Sequence, residues 1–123
     1  MKWNFNNDSP IYSQLIRQIQ EGIVTADFPP GKKLPSVRDL ATEAGVNPNT
    51  MQRAFAELER EGLVFTQRTS GRIVTEDQTR IDQLKRSLAE QHIEIFLSAM
   101  RRLGFRWDEI MELLISERGE ERT

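Results

Sequence analysis

The chain has 123 residues, enough for one ordinary domain and a short appendage, and a net charge of −2. It contains no cysteine, which excludes disulfides, thiolate zinc sites and cysteine nucleophiles. No stretch approaches the ~18 apolar residues of a membrane span, and the opening MKWNFNNDSP has no apolar run resembling a secretory signal, so a cytoplasmic protein is expected.

A first helix is expected from Pro10 to about Thr25, capped by Ser9, because Tyr12, Leu15, Ile16, Ile19 and Ile23 form one apolar stripe at helical spacing. Phe28-Pro29-Pro30-Gly31 then breaks the chain. Ser36 with Asp39 three residues on is the capping pattern that opens a helix. Leu40, Ala41 and Ala44 give that helix an apolar side, and Gly45 ends it. Asn47 caps the next helix, with Pro48 at the first helical position, where a missing N–H costs nothing. Two helices joined by so short a turn form a helix-turn-helix unit, whose second helix can enter a DNA major groove. Strands at Leu63–Thr66 and Arg72–Thr75, joined through Thr69-Ser70-Gly71, add a wing. Thr75, with Gln78 three residues later, is expected to cap a long helix reaching about Leu103. Gly104 stops it, and a last short helix starts near Trp107. The expected fold is mostly α with a small β-hairpin: a winged helix-turn-helix domain over 1–76, followed by a two-helix dimerisation tail over 77–123.

The acidic net charge argues against a nucleic-acid partner until its distribution is considered. Residues 31–56 carry Lys32, Lys33, Arg38 and Arg53 against Asp39 and Glu43, and the hairpin adds Arg68 and Arg72 with no acid between Gln67 and Thr75. A local basic surface on an acidic protein still meets phosphate. On the second helix of the unit, Met51, Ala54, Phe55 and Leu58 share a core face. Asn49, Arg53, Ala56 and Arg60 share the opposite one, flanked by Thr50 and Gln52. Glu57, Glu59 and Glu61 crowd the C-terminal half, so the N-terminal end is the part suited to a groove. Gln52 can pair with adenine and Arg53 with guanine. Arg38 reaches the groove edge or else pairs with Asp39 or Glu43. Arg68, Ser70 and Arg72 suit a wing on phosphates or the minor groove, and Gly71 permits the turn. A solvated polar helix face is the plain alternative, and the agreement of cap, turn and wing weighs against it.

The remaining features point away from chemistry. His92 stands without a second histidine and reads as a packing residue, and Asp108, Glu109 and Glu112 read as first-turn acids on a solvated face. No phosphate loop, metal set, cofactor motif or catalytic constellation is present. In the tail, Ile81, Leu84, Leu88, Ile95 and Ala99 follow one stripe, which Phe96, Met100 and Leu103 widen over most of the helix. A helix so apolar needs more than one neighbour, and a second subunit is the natural cover.

Three segments, Pro30-Gly31-Lys32-Lys33-Leu34-Pro35-Ser36-Val37-Arg38-Asp39-Leu40-Ala41, Val46-Asn47-Pro48-Asn49-Thr50 and Leu58-Glu59-Arg60-Glu61-Gly62-Leu63, resemble the GntR family of bacterial transcription regulators. The VNPNT segment and the short tail look like its YtrA subfamily. The resemblance implies a homodimeric repressor, often encoded beside ABC transporter genes, with no enzyme activity. It also implies DNA contacts at Arg38, Asn47, Asn49, Thr50 and Arg53, and at Arg68 and Gly71 in the wing. Other branches place arginine where this chain has Pro48 and Gln52, so its base readout need not match the family's general operator. The function expected is a sequence-specific DNA-binding regulator, a repressor on a near-palindromic operator, with double-stranded DNA and a second copy as partners. An effector that biases the pose of the two winged domains would have to bind one arrangement better than the other. A winged-helix module that binds protein rather than DNA is the runner-up from another class.

Overall fold

The computed structural model describes residues 1–68 and 71–121. Five helices and one hairpin follow in order: α1 (Ile11–Val24), α2 (Val37–Ala44), α3 (Pro48–Arg60), β1 (Val64–Gln67), β2 (Gly71–Val74), α4 (Gln78–Arg102) and α5 (Trp107–Glu121). They group into two compact units, Met1–Arg86 and Ser87–Thr123.

In the first unit the apolar stripes named above become the core. Leu15, Ile19 and Ile23 of α1, Leu40 and Ala41 of α2, and Met51, Ala54, Phe55 and Leu58 of α3 are all buried. Local chemistry sets the ends of the two central helices. The Ser36 side chain accepts a hydrogen bond from the Asp39 amide, and the Asn47 side chain accepts one from the Asn49 amide. Gly45 closes α2 with φ +71°, a left-handed conformation that a side chain would oppose.

Two expected caps are corrected. Ser9 does not cap α1. Pro10 takes that position without a side-chain bond, while the Gln14 amide donates to the carbonyls of Ser9 and Asn6. Gln14 accepts from the Asn6 amide in return, and Gln18 pairs with the Asn4 backbone in the same reciprocal way. Two glutamines of α1 thus fasten the extended N-terminal segment, on which Trp3 and Phe5 stack with centroids 6.1 Å apart. Thr75 does not cap α4. Its amide donates to the Leu63 carbonyl, which keeps it with the sheet, and its hydroxyl accepts from the Asp77 amide. Asp77 is the cap, its carboxylate accepting from the Arg80 amide.

The hairpin is antiparallel and one residue displaced from the expected strands, pairing Val64 with Val74, Phe65 with Ile73, Thr66 with Arg72 and Gln67 with Gly71. Residues 31–34 run along the other edge of β2. Gly31 and Leu34 donate to the carbonyls of Val74 and Arg72, and the Val74 amide donates to Lys32. The first turns of α4 complete this unit with buried Ile81 and Leu84, and the Arg80 guanidinium donates to the Glu61 carbonyl at 2.9 Å.

In the second unit, Gly104 has φ +96° at the end of α4. The last helix, expected to be short, runs fifteen residues from Trp107 to Glu121. Leu88 and Ile110 are buried here. His92, expected to pack, is exposed. No helix among the described residues is long and apolar enough to cross a membrane.

Candidate nucleic-acid interface

The first unit presents one continuous polar helix face. Asn49, Gln52, Arg53, Ala56 and Arg60 of α3 are exposed and Thr50 is half-buried, the inverse of the buried face carrying Met51, Phe55 and Leu58. The N-terminal end of α3 supplies oriented backbone N–H groups and the positive end of the helix dipole. Asn47 and Pro48 set that end, so Asn47 is a helix cap through its side-chain oxygen before it is anything else.

Arg53 does not wave freely. Its guanidinium carbon lies 4.5 Å from the centre of the Tyr12 ring on α1. Such a cation over an aromatic face is held by the ring's quadrupole. Tyr12, read from the sequence only as part of a packing stripe, is therefore a neighbour of the exposed face. The spacing of apolar residues carries no signal for that contact.

Arg38 is exposed, and among the described residues no carboxylate lies within ion-pairing distance of it. Glu43, one of its two alternative partners, instead accepts from the Trp3 indole at 3.2 Å. Lys32 and Lys33 are exposed on the outer strand-like segment beside β2. Arg68 is exposed at the end of β1, and Gly71 opens β2 with φ +77°. Ser70 lies outside the described residues.

Arg72 sits differently from the other basic candidates. It is half-buried, its Nε donates to Glu59 at 3.2 Å, and its guanidinium carbon lies 5.1 Å from the ring centre of Phe55. The carboxylates of the C-terminal half of α3 are likewise engaged. Glu57 accepts from Nε of Arg60 at 2.8 and 3.1 Å and from its Nη2 at 2.7 Å, and these bonds and the charge raise the Arg60 pKa. Glu61 accepts from Gln20 at 2.9 Å. Their negative charge is partly matched within the molecule, which softens the repulsion of phosphate expected from three glutamates.

Of the residues expected at a dimer contact, Ile81, Leu84 and Leu88 are buried within the single chain. Ala99 and Met100 are half-buried, whereas Ile95, Phe96 and Leu103 are exposed. The open apolar surface of the second unit also includes Ile93, Trp107, Leu114 and Ile115, of which only Ile93 lies on α4.

Capped helices around a left-handed glycine turn, a polar face on the second helix and a hairpin behind it define a winged helix-turn-helix DNA-binding protein. Comparison with known proteins narrows the class. The family described as bacterial regulatory proteins, gntR family, matches residues 11–74. YhcF of Bacillus subtilis strain 168, an uncharacterised HTH-type transcriptional regulator, is 41% identical over 108 residues, 88% of this chain and 89% of its own. The HTH-type transcriptional repressor YtrA of the same organism is 39% identical over 89 residues, 72% of this chain and 68% of its own. A GntR family transcriptional regulator from Listeria monocytogenes, 43% identical, has a TM-score of 0.80 and covers 91% of this chain and 98% of its own. The chain belongs to the GntR family and is of its YtrA type, a DNA-binding transcriptional regulator rather than an enzyme. Its family disfavours the reading as a winged module that binds only protein.

Proposed function

We propose that this regulator is a repressor that binds a near-palindromic operator as a homodimer. The two recognition helices α3 would enter half-sites about one helical turn apart. The observation that carries the reading is the exposed Asn49–Gln52–Arg53–Ala56 face, with Arg53 steadied over Tyr12. Base contact falls to Gln52 and Arg53, and groove or phosphate contact to Arg38, Asn49, Thr50, Lys32 and Lys33. Arg68, Ser70 and Gly71 serve the wing.

The division of labour follows the sequence expectation, with DNA binding over 1–76 and dimerisation over 77–123. Support for a dimer comes from the exposed apolar side chains of the second unit, several of them large, which a monomer would leave in water. A repressor's role is supported by the likeness to YtrA, which bears that description. An effector would act by favouring one relative pose of the two winged domains. Footprinting on the DNA upstream of the chain's own coding sequence tests the reading, since small regulators of this kind often control themselves. Two protected patches about one turn apart are expected. A single patch, or protection indifferent to sequence, would contradict it.

A further inference from the structure

One carboxylate of the recognition helix reaches outside its own helix to the wing. Oε1 of Glu59 accepts from the Thr66 hydroxyl and from Nε of Arg72. Thr66 and Arg72 are cross-strand partners, so this single oxygen ties both strands of the hairpin to α3. The Arg72 guanidinium also lies over Phe55, one turn earlier on α3 and fully buried. Both contacts draw the Arg72 charge toward the helix and away from solvent. Backbone hydrogen bonds to residues 31–34 hold β2 at Arg72 and Val74, whereas the Glu59 contact with Thr66 is a hold on β1.

We propose that Glu59 is a positioning residue for the wing: by holding the Thr66–Arg72 rung against α3, it fixes where Arg68, just past the end of β1, stands relative to the bases that α3 reads. Arg72 then serves wing geometry, and Arg68 is the cation that the wing delivers to the phosphate backbone. The inference rests on the reading of this surface as the DNA-binding one.

The experiment is a cycle on the full-length chain, comparing wild type, Arg68→Ala, Glu59→Ala and the double variant. Binding to a duplex of the chain's own upstream region and to a scrambled duplex is followed over a salt series. Arg68→Ala alone is expected to weaken binding by roughly 3–10-fold and to lower the salt slope by about 0.9, as loss of one phosphate contact does. In the Glu59→Ala background the same change is expected to cost less than ~2-fold with no change of slope, because contacting groups couple and independent ones add. Additive losses, with the same slope change in both backgrounds, overturn the proposal, since a residue that merely stabilises the fold leaves the Arg68 contact intact. Glu59→Gln guards against a Glu59→Ala chain that fails to fold. It keeps an oxygen for Thr66 but removes the charge facing Arg72, so the released cation is expected to steepen the salt slope. An unaltered slope with the full Arg68 effect overturns the proposal equally. If wild type binds neither duplex, the reading of this surface as the DNA-binding one has failed and the proposal falls with it. A DNA-binding wild type with an additive cycle sinks the proposal alone.

Discussion

Arg53 projects from the exposed side of α3, one turn beyond Asn49, and its guanidinium rests on Tyr12. A cation–aromatic contact at an exposed site contributes about 0.5–1 kcal/mol, enough to reduce the freedom a long side chain loses on binding. Replacing Arg53 by alanine is therefore expected to weaken specific binding by ~1–3 kcal/mol, as loss of one good base contact does. Competition against a scrambled site measures this, and an unchanged specific affinity in a folded variant would remove Arg53 from the readout. Tyr12→Leu is expected to weaken specific binding less than Arg53→Ala and to leave non-specific binding nearly unaltered, checked in the same assay. The side of the helix to which Arg53 belongs was legible from spacing alone, because a helical period assigns residues to faces. Its aromatic neighbour was not, since Tyr12 lies on another helix and falls in an apolar stripe that explains it well enough by burial. Arg72 shows the same limit. Its sequence neighbours suggest a wing cation, and only the fold reveals Glu59 and Phe55 beside it.

At the scale of elements, the helix ends divide into those that local chemistry decides and those that distant partners decide. Ser36 and Asn47 bond amides two or three residues ahead, so their caps could be read directly. Ser9 and Thr75 have the right side chains, yet Gln14 occupies the entry to α1 and the Leu63 carbonyl retains Thr75 in the sheet. The edge segment 31–34 was equally hidden, because Pro29-Pro30-Gly31 signals a break and gives no hint that the chain then pairs with β2. That pairing displays Lys32 and Lys33 beside the wing. Changing either to alanine is expected to lower affinity for all sequences alike, with a salt slope reduced by about 0.9. A shift in sequence preference at constant slope would assign them to base readout instead. Gly45 lends itself to a simpler measurement. At φ +71° an alanine meets no neighbour within 4 Å but must adopt a left-handed backbone, so Gly45→Ala is expected to destabilise by ~1–2 kcal/mol in chemical denaturation. No loss of stability would mean that the turn between α2 and α3 relaxes.

For the whole molecule, the first compact unit extends past the hairpin, through the first turns of α4, to Arg86. A chain cut at Glu76 would lose Ile81, Leu84 and the Arg80 bond to Glu61, all of which belong to the first compact unit. Ending at Arg86 keeps them, and this shorter chain is expected to fold and to sediment as a monomer, while the full chain dimerises through the exposed apolar side chains of the second unit. Both chains forming monomers would remove the tail from assembly. Loss of the dimer makes the second half-site a separate bimolecular event, which is expected to cost ~10²–10⁴ in apparent affinity for a palindrome.

The central claim, a dimer that reads DNA sequence through two α3 helices, is tested most directly by titrating the full chain against a duplex of its own upstream region and a scrambled duplex of equal length. Mass measurement of the complex accompanies each titration at near-physiological salt. Two chains per native duplex are expected, bound ~10³-fold or more tighter than to the scrambled one, the lower end for specific regulators. Equal affinity for both duplexes, or one chain per duplex at saturation, would contradict the account.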